Sequence, residues 1–137
     1  MKFDYTHVPA LPDWASGRPL VDIQLYHAEH EIIVPVLVDS GADISIMPYE
    51  IGLELGFIWN EQTYPIDLGG IMRGVPAFAV LVRGEIAGLP EKALVFAWAQ
   101  KHRSECRFVV GQMNFFQQYE VTFRGYENTF EISAKPS

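Results

Sequence analysis

Leu37-Val38-Asp39-Ser40-Gly41-Ala42-Asp43 follows directly on the apolar run Ile32 to Val38. That run is apolar on both faces, the pattern of a buried strand. The chain breaks at Asp39-Ser40-Gly41 and returns at once to apolar residues in Ile44-Ser45-Ile46-Met47-Pro48. Asp, Ser and Gly are common in ordinary turns because they hydrogen-bond locally or tolerate unusual dihedrals. A solvated turn is not specially marked by apolar sequence on both sides, and this one is. The strand before it fixes where the Asp39 carboxylate sits. Gly41 lets the backbone turn sharply and lets another chain approach. Ala42 is small enough to lie against a ligand, and the Ser40 hydroxyl can hydrogen-bond backbone across a symmetric contact.

Upstream, Val21, Ile23 and Leu25 alternate with Asp22, Gln24 and Tyr26, which predicts a half-buried strand. His27 to Glu31 reads as a polar turn, so a hairpin delivers the chain to Asp39. Residues 1–19 hold Pro9, Pro12, Gly17 and Pro19 and are expected to be an irregular N-terminal arm. Downstream, Pro48 opens a short helix over Tyr49 to Leu55 and Gly56 stops it. Gly69-Gly70 and Gly74 punctuate a flexible segment. Strands are predicted at Ala77–Val82, Ala93–Trp98 and Phe108–Val110, a short helix at Asn114–Gln118, and a closing hairpin from Val121-Thr122-Phe123 to Thr129–Ile132. Many short strands with Gly and Pro turns make an all-β barrel or sandwich with one or two short helices. The domain is expected over 20–133, with 134–137 as a tail.

The chain has 137 residues, enough for one domain with a core and no disulfide staple. Net charge is −7 and no basic run occurs, which argues against nucleic acid as a partner, since phosphate binding needs clustered Lys and Arg. Cys106 is the single cysteine, so neither an internal disulfide nor a cysteine zinc site can form. No apolar run has signal-peptide character or approaches the roughly 20 residues that span a membrane. A cytoplasmic protein with no membrane partner is the expectation.

Other constellations carry less. Asp67-Leu68-Gly69 is a second Asp-x-Gly but lacks both the hydroxyl residue and the preceding apolar strand. His27 and His30 with Glu29 and Glu31 have metal-ligand chemistry, yet a hairpin tip of polar residues is ordinarily a solvated turn, and no metal is expected. His102 and Cys106 are a nucleophile–base pair on paper. No third orienting group accompanies them, and Cys106 precedes a buried strand, where a thiol is a packing group. Trp14, Trp59 and Trp98, with Phe115 and Phe116, read as core rather than as a peptide groove. No Gly-x-Ser-x-Gly elbow, phosphate-binding loop or paired-histidine helix is present.

Taken in order, these segments resemble the retropepsin-like aspartic proteases, which include the retroviral enzymes. Leu37 to Asp43 resembles the active-site segment, Leu68-Gly69-Gly70-Ile71 the glycine-rich flap, and Val109-Val110-Gly111 the apolar-apolar-glycine element near the C-terminus. Asn114-Phe115-Phe116 and Tyr119 to Phe123 resemble the short helix and strand that follow. The resemblance runs from about Pro19 to Ile132. It implies a closed retropepsin-like acid-protease barrel and an endopeptidase that needs no cofactor. One aspartate comes from each subunit of a homodimer, and the flap closes over a polypeptide substrate. Asp39 is then catalytic, Ser40, Gly41 and Ala42 support it, and Gly41, Asp43, Gly69, Gly70 and Ile71 contact substrate. Two carboxylates about 3 Å apart share one proton, so one accepts a proton from water while the other donates to the peptide carbonyl. There are departures. Gln112 stands where the family usually has Arg, which in retroviral members pairs with the aspartate matching Asp43. The chain also runs past Phe123 into an extra hairpin. The alternative expectation is a weak or inactive retropepsin fold used for dimerisation or peptide binding.

Overall fold

Alternation of apolar and polar residues builds most of the walls that carry Asp39. The structure, a computed structural model, describes residues 1–7, 9 and 17–135. Its strands in chain order are β1 (Lys2–Asp4), β2 (Leu20–His27), β3 (His30–Val38), β4 (Ile46–Met47), β5 (Ala77–Ile86), β6 (Lys92–Ala99), β7 (Val109–Val110), β8 (Tyr119–Arg124) and β9 (Thr129–Ala134). Two short helices, α1 (Tyr49–Glu54) and α2 (Phe115–Gln118), complete the regular structure with three single 3₁₀ turns. The fold is all-β with little helix. No helix among the described residues is long and apolar enough to cross a membrane.

Six strands close on themselves in the order β2-β3-β7-β4-β6-β5, with β5 pairing back onto β2. β2 and β3 form the expected hairpin, from Leu20↔Leu37 to His27↔His30. Its turn is tighter than the predicted His27 to Glu31: only Ala28 and Glu29 lie outside the strands, with Ala28 at φ 52°. β3 then runs parallel to β7, pairing Leu37 with Val109 and Val38 with Val110. β1, β9 and β8 form a separate three-stranded sheet in that order.

Val21, Ile23 and Leu25 of β2 point into the barrel, as do Val34, Val36 and Val38 of β3. The expectation that β3 is buried on both faces is corrected. Ile33 is 65% exposed and Pro35 also faces out, because a barrel wall has one interior and among the described residues no further layer covers this part of it. The irregular reading of residues 1–19 is corrected at Lys2–Asp4, while residues 8 and 10–16 lie outside the described residues. Lys2–Asp4 forms a strand against Thr129–Glu131, and Thr6 bridges Arg18. A three-residue strand whose partner is so distant in sequence leaves no periodic trace.

The core centres on Trp98, fully buried, whose indole N–H donates to the Tyr49 carbonyl at 2.9 Å. Trp59 meets Trp98 edge-on, with ring centroids 5.0 Å apart. Phe115 is buried and Phe116 packs against the same core. Trp14 lies outside the described residues. Pro48 precedes α1 and Gly56 follows it at φ 83°, as the sequence suggests.

Candidate active site

The end of β3 is clamped from both sides. Val38 N–H donates to the Pro19 carbonyl at 3.0 Å, Leu37 N–H to Phe108 at 2.9 Å, and Asp39 N–H to Val110 at 3.0 Å. Parallel pairing with β7 therefore sets the height at which the Asp39 carboxylate leaves the sheet. The turn closes with Ala42 N–H on the Asp39 carbonyl at 3.1 Å. Gly41 N–H donates to Asp39 Oδ1 at 2.9 Å, so one carboxylate oxygen is held by backbone. A backbone donor orients a carboxylate without neutralising it. Asp39 is half-buried, and Ser40 and Gly41 are exposed.

A second segment braces this turn from behind. Gln112 N–H donates to the Ala42 carbonyl at 2.8 Å and Met113 N–H to Asp43 at 2.9 Å. The Gln112 side-chain amide donates to the Ser40 carbonyl at 2.7 Å. Gly111 N–H donates to the buried Ser45 hydroxyl at 3.0 Å. Gly111 has to lack a side chain, because a Cβ there would collide with the Ala42 carbonyl oxygen. Sequence reasoning gave Gly111 and Gln112 a place but missed Ser45. Its signal was a lone hydroxyl inside Ile44-Ser45-Ile46-Met47, where a buried polar group needs a partner. Asp43 is exposed, and among the described residues it forms no salt bridge.

Three clefts surround the turn. One of about 370 Å³ lies between Gly41–Asp43 and Asp67–Gly70. Another of about 480 Å³ is lined by Asp39, Ile46, Ile71, Met72 and residues 103–107. A third of about 360 Å³ is lined by Asp39, Ser40, Leu37, Arg18, Arg107 and Phe123. The segment expected to be a flap thus faces the turn: Gly69 and Gly70 across the first cleft, Ile71 across the second. Its centre is a 3₁₀ turn over Gly70–Met72, with Ile71 fully exposed. Asp67 sits beside this segment and lines the first cleft with Asp43 rather than with Asp39.

The weaker candidates are engaged elsewhere. His27 Nδ1 lies 2.7 Å from the Leu55 carbonyl and its ring stacks on Phe57 at 3.8 Å. His102 Nδ1 lies 3.2 Å from Glu50 Oε2. Cys106 is buried, with its thiol pushed up first by burial and then by the Glu50 charge, so it stays protonated and inert at neutral pH. Among the described residues no group of three or more His, Cys, Asp or Glu is placed to hold a metal ion.

No protein-family model matches the chain, and no curated protein matches its sequence. By structure it is similar to a solved protease, the EIAV protease complexed with the inhibitor HBY-793. The two are 19% identical with a TM-score of 0.54, over 71% of this chain and 84% of that one. The likeness shows the fold: this chain has a retropepsin-like fold.

Proposed function

We propose that the chain is one half of a homodimeric aspartic endopeptidase. The observation that carries the reading is Asp39 itself. Its carboxylate stands at the end of a clamped strand, one oxygen held by Gly41 N–H, on a turn bordered by clefts. Two such turns facing across a two-fold axis place two carboxylates around one water. The pair shares a proton because ionising both is costly at that separation. The ionised Asp39 takes a proton from the water as it attacks the scissile carbonyl, and the protonated Asp39 donates to the carbonyl oxygen. The tetrahedral diol then collapses as a carboxylate returns a proton to the leaving amine. Ser40, whose hydroxyl makes no hydrogen bond within the chain among the described residues, is free to brace the opposite turn. Extended peptide binds as an added strand along Gly41 and Asp43, covered by Gly69, Gly70 and Ile71.

The second reading is a retropepsin fold that dimerises or holds peptide without cleaving it. Gln112 in place of Arg favours it, since among the described residues Asp43 forms no salt bridge that could position substrate. Cleavage of a mixed peptide pool by the wild type, abolished in Asp39→Asn, supports the enzyme. Peptide binding with equal absence of cleavage in both proteins supports the second reading.

A further inference from the structure

The chain carries seventeen Asp and Glu against ten Lys and Arg, so acidic partners for a cation are plentiful. Yet Arg18, Arg103 and Arg107 form no salt bridge among the described residues, and all three line one cleft of about 320 Å³. Leu20, Leu37 and Phe108 give that cleft an apolar wall, and among the described residues no Asp or Glu lines it. Like charges gathered on one cleft repel, and an anion bound among them relieves the repulsion. The cleft adjoins Asp39. Arg18 and Arg107 also line the cleft of about 360 Å³ that holds Asp39 and Ser40, and Arg103 and Arg107 the one of about 480 Å³ that holds Asp39 and Ile71. Two of the three have fixed roots. Arg103 N–H donates to Glu50 Oε1 of α1, and Glu105 N–H donates to the His102 carbonyl at 2.9 Å, which anchors this turn. Arg107 lies between the buried Cys106 and Phe108, and the Phe108 carbonyl is held by Leu37 N–H. Glu105, on the same loop, is engaged by Lys101 at 3.1 Å.

We infer that this cleft takes an acidic side chain, Glu or Asp, of a peptide bound beside Asp39, and that Arg103 and Arg107 select it. The inference rests on the proposed peptidase and names its substrate class. Arg meets a carboxylate with two parallel N–H donors and stays charged at every working pH. Leu37 and Phe108 take the methylenes of a Glu side chain while its carboxylate reaches the guanidinium groups. Gln has the same shape and leaves the cations unrelieved, so the cleft discriminates by charge. One exposed ion pair is worth little, whereas several cations acting on one carboxylate form a network. The cleft of about 370 Å³ on the other side of the turn is lined by Asp43 and Asp67, which repel the same side chain. The acidic residue therefore goes to the arginine side of the cleaved bond's surroundings.

Matched peptides that carry Glu, Gln or Lys at each position around the cleaved bond test this on the full chain, at about pH 6, where a peptide Glu is ionised. At one position kcat/KM for Glu should exceed that for Gln by about tenfold or more, and the ratio should shrink as salt is added. Arg103→Gln and Arg107→Gln should each reduce the Glu-to-Gln ratio several-fold, and Arg107→Glu should turn the preference toward Lys. The Gln peptide is the internal reference, so a general loss of activity does not imitate the effect. Binding of the same peptides to Asp39→Asn, followed by fluorescence anisotropy, reads the cleft without cleavage. A ratio near one at every position, or one that all three variants leave unchanged, overturns the inference while Asp39-dependent cleavage keeps the peptidase reading. A Glu preference in binding that Arg107→Glu turns toward Lys, with no peptide cut by the wild type, keeps the acidic-side-chain cleft and sinks the peptidase reading. Peptides neither cut nor bound overturn both.

Discussion

The turn at Asp39 and the glycine segment facing it are built in opposite ways. The turn is held by backbone donors from Gly41, Ala42, Gln112 and Met113 and by the Gln112 side chain, and its neighbour Gly111 is held by Ser45. The facing segment has one 3₁₀ turn, and a Cβ placed on Gly69, Gly70 or Gly74 would meet nothing within 4 Å. Its stem is anchored, through Ile66 N–H on Ala77 at 3.0 Å and Ala79 N–H on Tyr64 at 2.8 Å, and Met72 packs on a small buried cluster, while Gly69, Gly70 and Ile71 make no backbone bond outside the segment among the described residues. Chemistry that depends on carboxylate position needs the first construction, and a cover that admits and releases peptide needs the second.

The sharpest way to break the comparison is at its centre. Asp39→Asn keeps the shape and removes the shared proton, so turnover should fall by about 10³ or more while circular dichroism and the melting temperature hold. A well-folded mutant with most of its activity removes Asp39 from the mechanism. Gly111→Ala attacks the brace instead. The added methyl drives into the Ala42 carbonyl, which should cost about 1–3 kcal/mol in a denaturant titration and roughly 10²-fold in kcat through a displaced turn. If kcat survives an unfolding cost of that size, the brace serves stability alone.

On the glycine segment, Gly70→Val should act the other way. Gly70 sits at φ 60°, where a β-branched residue is strained by about 1–2 kcal/mol, but the tip transmits little of that to the core. We expect about tenfold loss of kcat/KM with the melting temperature nearly unchanged, and fast hydrogen exchange over 69–74 in the wild type. Exchange there as slow as in β5 and β6 would make the segment part of the rigid wall.

The smallest effect lies behind the brace. Tyr119 is buried, with no partner for its hydroxyl among the described residues, and burial raises its pKa to about 12. The unfolded chain ionises first, so this group's contribution is intact below about pH 10 and is lost as pH rises toward 12. Tyr119→Phe should leave neutral-pH stability unchanged or raised by up to about 1 kcal/mol, and should flatten the alkaline loss in urea melts at pH 7 and pH 11. An unflattened limb would mean that another group sets it.

Local chemistry made much of this chain legible before folding. The alternation of Val21, Ile23 and Leu25, the Pro48 start and Gly56 stop of α1, and the closing hairpin all depend on neighbours in sequence. So does the turn at Asp39-Ser40-Gly41 between two apolar runs. Three features were out of reach for a common reason: their partners are far away along the chain. β4 is two residues long and exists because β6 and β7 flank it. β1 exists because β9 offers an edge. The outward face of β3 looked buried because Ile33 and Pro35 are apolar, and only closure of the barrel left them without cover. The site divides in the same way. Which residue carries the carboxylate was written in Leu37 to Asp43. That Gly111 and Gln112 hold it, and that Ser45 anchors Gly111, was decided by contacts spanning about seventy residues, which exist only once β3 and β7 lie side by side.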